Sequence, residues 1–193
     1  AEVACCTLTS AARDAANSNV LLDGLAERGV VAQVIPGEVE GSLTFLGVAQ
    51  DFRASRIVVA DNGGGSTEVA AGVLDGERPG VALEAVRSLD VGCRRVTDLF
   101  LSREDPPSAT ALEEARAFCR EAFESGLPAE ARDPERLVCV GGTVTTLVAI
   151  DAGLDPYDPA FVHLRSLALD EVDELVGRLA ALPLEQRCGV VGL

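Results

Sequence analysis

The sequence predicts an α/β protein of two lobes, with mixed sheets flanked by helices. Three observations carry that prediction. The first fifty residues alternate strand-like and helix-like runs, and the middle of the chain holds three strand-like runs separated by tight turns. Two apolar runs also lead straight into glycines, at Gly63-Gly64-Gly65 and at Gly141-Gly142. Strand–helix alternation is the sign of a parallel sheet covered by helices, whereas consecutive strands joined by short turns read as an antiparallel meander.

Taken in order, Val3–Leu8 is an apolar strand-like run, and Ser10 opens a helical stretch through Arg13, Ala16, Leu21, Leu25 and Arg28. Gly29 is placed to end that helix in the left-handed conformation. Val30–Pro36 reads as a second strand, and Glu38–Phe52 as a second helix with Leu43, Leu46, Gly47 and Phe52 at helical spacing. The polar link Gln50-Asp51-Phe52-Arg53 then sets a lobe boundary, with residues 1–52 in one lobe and 53–193 in the other. Arg56–Ala60, Thr67–Leu74 and Val81–Asp90 form the meander, with Asp75-Gly76 as a hairpin signal. A helix is expected over Ser108–Ser125, with Thr110 and Glu113 in the pattern of a capping box. Leu137–Val140 reads as a buried strand entering another helix. Leu169–Leu182 reads as an amphipathic helix whose apolar stripe packs into the core.

Composition excludes several classes of function. The formal net charge is −15, and all sixteen basic residues are Arg. No basic stripe exists that could track a nucleic acid, so an anionic ligand would have to be held locally by backbone N–H groups, one or two Arg and a divalent cation. No apolar run approaches the ~20 residues of a membrane span. The six Cys show no Cys-x-x-Cys pair, and His163 stands far from them in sequence, which gives no zinc site. Several lie in apolar runs such as Leu137–Val140, where Cys acts as a small hydrophobe. Reduced thiols and a cytoplasmic location follow as expectations. A chain with no Met that opens on an apolar run reads as an internal fragment.

Four segments can carry chemistry. In Val58–Glu68 a hydrophobic strand delivers Asp61 to its end, and Gly63, Gly64, Gly65 and Ser66 then turn into a second strand that carries Glu68. Consecutive glycines let backbone N–H groups approach phosphate oxygens, and a carboxylate at a strand end can hold a hydrated divalent cation. A plain glycine-rich hairpin would use the same residues. Val138–Thr143 repeats the design, with Gly141, Gly142 and Thr143 opening a helix whose N-terminus suits an anion. Arg13 lies about one turn into its helix, where its planar fork could grip a phosphate or pair with a surface carboxylate. Glu38 and Glu40 stand in the first turn of the next helix, where acidic residues ordinarily complement the dipole.

In this order and at these separations, Thr9–Asn17, Gly37–Gly41, Asp61–Glu68 and Gly141–Thr143 resemble the exopolyphosphatase / guanosine pentaphosphate phosphohydrolase family. Leu89–Thr97, Val162-His163 and Glu185–Leu193 extend the resemblance over nearly the whole chain. It implies a ribonuclease-H-like, actin-type fold with the active site in an interdomain cleft and the N-terminal lobe incomplete. It also implies roles: Glu40 as general base, Asp61 and Glu68 as magnesium ligands, Arg13 on the anionic chain, and Gly63–Ser66 with Gly141–Thr143 as phosphate-binding loops. This chain differs from the family pattern at Asn62, Val39 and Gly41, and the family's first phosphate loop and final segment lie outside the 193 residues.

The implied activity is hydrolysis of the terminal phosphate of inorganic polyphosphate, with guanosine pentaphosphate as the alternative substrate. The rivals are a phosphotransferase with similar loops and a non-catalytic binder of polyphosphate or alarmone. A homodimer is left open.

Overall fold

The computed structural model describes residues 5–75 and 80–193. The first run of residues gives a short parallel pair, β1 (Cys6–Leu8) beside β2 (Ala32–Val34). The helical stretch between them is broken rather than continuous: α1 (Ser10–Asp14) stops at Ala15, and α2 (Ser18–Ala26) starts three residues later. Ala15 adopts an extended conformation, which ends the first ladder of hydrogen bonds. Gly29 does take a left-handed φ of 76°. The Val3–Ala4 part of the expected first strand lies outside the described residues, as does Gly76 of the hairpin signal.

The larger sheet has the order β5-β4-β3-β6, built from β3 (Arg56–Asn62), β4 (Thr67–Leu74), β5 (Val81–Leu89) and β6 (Leu137–Val140). The meander β3-β4-β5 is antiparallel throughout, whereas β6 runs parallel to β3. The sheet is therefore mixed. Because β3 and β6 are parallel neighbours, their glycine turns leave the same end of the sheet.

Period-two alternation sends the two faces of β3 to different partners. Ile57 and Val59 join Ala70 and Leu74 in a core cluster with Phe45 and Ala49 of the preceding element, α3 (Gly37–Val48, continued by a 3-10 turn at Ala49–Phe52). Val58 packs on the opposite face with Val69, Ala71, Leu89 and Ala131, against Phe123 and Leu127. Phe123 belongs to α5 (Ala109–Gly126), which follows the short α4 (Cys93–Val96). Phe45 is fully buried, and such a side chain contributes about 1.5–3 kcal/mol through burial.

Glycines let α3 lie close to the sheet. A Cβ on Gly41 would sit 3.1 Å from both Glu68 Cβ and Val86 Cγ1, and one on Gly37 only 2.3 Å from Ser88 Cβ. Gly41, one of the departures from the family pattern, is thus fitted to its surroundings.

Three expectations need correction. The cap of α5 is Ser108, whose hydroxyl accepts from the Ala111 N–H, and Thr110 lies inside the helix. Strand β6 is an edge strand: Leu137 and Cys139 are exposed, so it is not buried. All six Cys are free thiols, Cys6 and Cys119 half-buried and the other four exposed, so Cys139 in the quoted run Leu137–Val140 is not a buried small hydrophobe. After β6 come α6 (Gly142–Ala152), α7 (Pro159–Val162), α8 (Leu169–Ala180) and α9 (Leu184–Arg187). The α8 stripe buries Leu175 but leaves Leu169 exposed. Among the described residues no helix is long and apolar enough to cross a membrane.

Candidate active site

The glycine loop 63–66 follows β3 and returns into β4; Ser66 O closes it by accepting from Gly63 N at 3.0 Å, and the three glycine carbonyls turn toward α4. Gly63 O accepts from Cys93 N at 3.0 Å, and Gly64 O accepts from Arg94 N at 2.9 Å and Arg95 N at 3.0 Å. Gly65 O accepts from Arg95 Nε at 2.7 Å. In a planar trans peptide the N–H of the next residue points opposite to each such carbonyl. The N–H groups of Gly64, Gly65 and Ser66 are accordingly aimed away from α4, and among the described residues none meets a protein acceptor. Three neighbouring free donors make a concavity suited to a phosphate.

The approach of α4 depends on Gly92, where a Cβ would lie 2.5 Å from Gly64 C and O. On the other side Ser10 packs so closely that a Cβ on Gly65 would stand 2.3 Å from its Oγ. The second glycine turn is held beside the first. Gly141 has φ 105°, and a Cβ there would lie 2.5 Å from Asn62 O. Among the described residues the first-turn N–H groups of the eleven-residue α6 meet no acceptor, and Gly142 and Thr143 are exposed to solvent.

Arg13, Glu40, Ser66 and Glu68 meet at one point. Arg13 Nη1 donates to Glu40 Oε2 at 3.1 Å and to Ile35 O at 2.9 Å, while Nη2 lies 3.5 Å from both Ser66 Oγ and Glu68 Oε1. Glu40 remains 22% exposed, so solvent reaches it, whereas Glu68 is 2% exposed. Burial pushes the Glu68 carboxyl up from its ordinary range, and the nearby Glu40 charge adds to this. Hydrogen bonds from Ser88 and Ser66, and the Arg13 charge, act the other way.

Across the sheet Asp61, Glu68 and Ser88 occupy successive positions of one ladder, Asp61 opposite Glu68 and Glu68 opposite Ser88. Directly opposed residues of an antiparallel pair share a face, with Cβ atoms about 5 Å apart. Both carboxylates are partly committed. Asp61 Oδ2 accepts from Thr44 Oγ1 at 2.9 Å, and Glu68 Oε1 accepts from Ser66 Oγ and Ser88 Oγ, each at 2.7 Å. The remaining oxygen of each has no protein donor among the described residues.

Magnesium keeps several waters and needs only one or two carboxylates besides substrate phosphates. Asp61 and Glu68 fit that demand, although no group of three or more His, Cys, Asp or Glu able to hold a metal occurs among the described residues. Asn62 faces the other side of the sheet. Its amide donates to Thr67 Oγ1 at 2.9 Å, and the Thr67 hydroxyl donates to Val91 O at 2.6 Å. The amide that replaces an apolar residue is therefore satisfied.

Against this geometry stands a match to the Ppx/GppA phosphatase family over residues 1–192. The chain belongs to that family. Exopolyphosphatase 2 of Mycobacterium tuberculosis is 34% identical over 191 residues, covering 94% of this chain and 57% of the relative. Exopolyphosphatase 1 of Mycobacterium leprae is 32% identical over 194 residues, covering 96% and 54%. The crystal structure of an exopolyphosphatase-like protein superposes with a TM-score of 0.82 at 32% identity, over 96% of this chain and 58% of the other. The Aquifex aeolicus Ppx/GppA enzyme gives 0.76 at 30% identity, over 95% and 58%.

The chain thus spans a little over half the length of these Ppx/GppA relatives, and its fold is the actin-like one they share, incomplete by comparison. Sequence reasoning missed Thr44, Ser88, Ser10 and Arg95. Ser10 and Arg95 did carry a signal, since Thr9–Asn17 and Leu89–Thr97 both match the family pattern, but neither residue had a role attached.

Proposed function

We propose that the protein releases the terminal phosphate of inorganic polyphosphate by attack of water, with Glu40 as general base. The observation that carries this reading is the row of three unpaired N–H groups at Gly64, Gly65 and Ser66 beside the Arg13–Glu40 pair. Those donors and the N-terminus of α6 hold the oxygens of the reacting phosphoryl group. Fixed dipoles aimed at developing charge are worth more than solvent because they need no reorganisation.

Arg13 holds one oxygen of Glu40 and leaves the other for a water. Glu40 takes the proton of that water as its oxygen bonds to the terminal phosphorus. The bond from phosphorus to the bridging oxygen breaks, releasing orthophosphate and a chain one unit shorter. Positioning and charge neutralisation dominate such a transfer. Bound between Asp61 and Glu68, magnesium would neutralise charge on the phosphates. Thr44, Ser66 and Ser88 orient those two carboxylates, as outer partners commonly do.

Two mycobacterial relatives named exopolyphosphatases support polyphosphate as the substrate class. A site built from backbone donors and one Arg also recognises phosphate without reading a base. Six free thiols are compatible with a reducing, cytoplasmic setting.

The test is magnesium-dependent phosphate release by the full-length protein from polyphosphate and from guanosine pentaphosphate. Faster release from polyphosphate is expected. Turnover of guanosine pentaphosphate alone would overturn the substrate assignment, and tight binding of either without release would make the protein a non-catalytic binder.

A further inference from the structure

Arg95 joins two parts of the site that are far apart in sequence. Its Nε donates to Gly65 O at 2.7 Å, and its Nη2 pairs with Asp14 Oδ2, with Asp90 Oδ1 at 3.7 Å. Gly65 O is the carbonyl whose peptide partner is the Ser66 N–H, the last of the three free donors. Asp14 follows Arg13 directly, at the end of α1. The Gly63 and Gly64 carbonyls are fixed by backbone N–H groups of α4, so they depend on no side chain. The Gly65 carbonyl has only Arg95 as donor among the described residues.

We infer that Arg95 is a positioning residue that straps the glycine loop to α1, fixing the Ser66 N–H and Arg13 in one arrangement. The guanidinium suits this task because its planar fork donates in two directions at once, which a lysine ammonium on a flexible stem does less well. Only 28% of the side chain is exposed, so the strap is partly shielded from solvent. Ser10 docks the other end of α1 on Gly65, and the short helix is thereby held at both ends against the loop. Losing Arg95 frees the Gly65–Ser66 peptide to rotate, and the anion site loses a donor and its alignment with Arg13.

The inference rests on reading the glycine loop as an anion site, so its test uses binding rather than turnover. Calorimetry with tripolyphosphate on the full-length protein is expected to show Kd weakened about tenfold in Arg95→Ala. Millimolar guanidinium should restore much of the affinity, which a merely structural lesion would not permit. Arg95→Lys should fall between the two. Asp14→Asn should weaken binding in the parent but add little in the Arg95→Ala background, since both act through one contact.

An unchanged Kd in Arg95→Ala, a loss that guanidinium does not relieve, or additive effects with Asp14→Asn would overturn the strap. A parent that binds tripolyphosphate without hydrolysing it would defeat the hydrolase reading while leaving this test decisive. A parent with no affinity for tripolyphosphate would overturn both.

Discussion

Removal of the Ser88 hydroxyl probes the carboxylate ladder most sharply. Ser88 Oγ donates to Glu68 Oε1 at 2.7 Å, and the acceptor is only 2% exposed. A hydrogen bond to a buried charged group contributes about 1.5–3 kcal/mol, so Ser88→Ala should cost roughly that much at neutral pH. The pH dependence gives the stricter criterion. Burial raises the Glu68 pKa above the ordinary carboxylate range. The stability that Glu68 contributes is therefore fully present below its unfolded pKa and is lost as pH rises through the raised folded value.

Ser88 favours the ionised form, so deleting it pushes the folded pKa further up and deepens the loss. The gap between parent and Ser88→Ala should open as pH rises out of the acid range. Urea unfolding of both proteins at several pH values measures it, with Glu68→Gln as a reference in which this dependence is absent. A gap that is constant with pH, or closes as pH rises, would show that Ser88 does not act on an ionised, buried Glu68.

Gly141→Ala places a Cβ 2.5 Å from Asn62 O at a φ of 105°, so β6 must shift away from β3; tripolyphosphate affinity should fall at least tenfold, read by calorimetry. Phe45 is completely buried between α3 and the sheet, and its ring reaches within 3.2 Å of the Cβ position of Gly72. Phe45→Ala should cost about 3–5 kcal/mol in urea unfolding.

Legibility in the sequence followed the range of the interactions. Strand β4 (Thr67–Leu74) coincides with its predicted run because alternation and flanking turns are local signals. Asp61, the glycine loop and Glu68 were legible as one motif for the same reason, and the β3-β4 register then sets Asp61 opposite Glu68. Ser88 was not legible. Its place beside Glu68 depends on the β4-β5 pairing, which carries an irregularity between Ala71 and Gly72 that no local pattern announces.

Arg95 and Asp14 are 81 residues apart, and their contact follows only from the seating of α4 on the loop. The edge position of β6 was missed because an apolar run of four residues reads alike at the edge or the centre of a sheet. The break after Asp14 was missed because Ala15 and Ala16 are strong helix formers, and tertiary docking of α1 on the loop outweighs that propensity.

In the proposed mechanism Glu40 serves the attacking water while the glycine loop and Arg13 hold the phosphate. The most direct measurement is single-turnover phosphate release from tripolyphosphate by Glu40→Gln in the full-length protein, alongside the Kd of the same ligand. The rate is expected to fall by on the order of 10²- to 10⁴-fold, with Kd changed little. A rate close to the parent's at unchanged affinity would show that Glu40 is not the base.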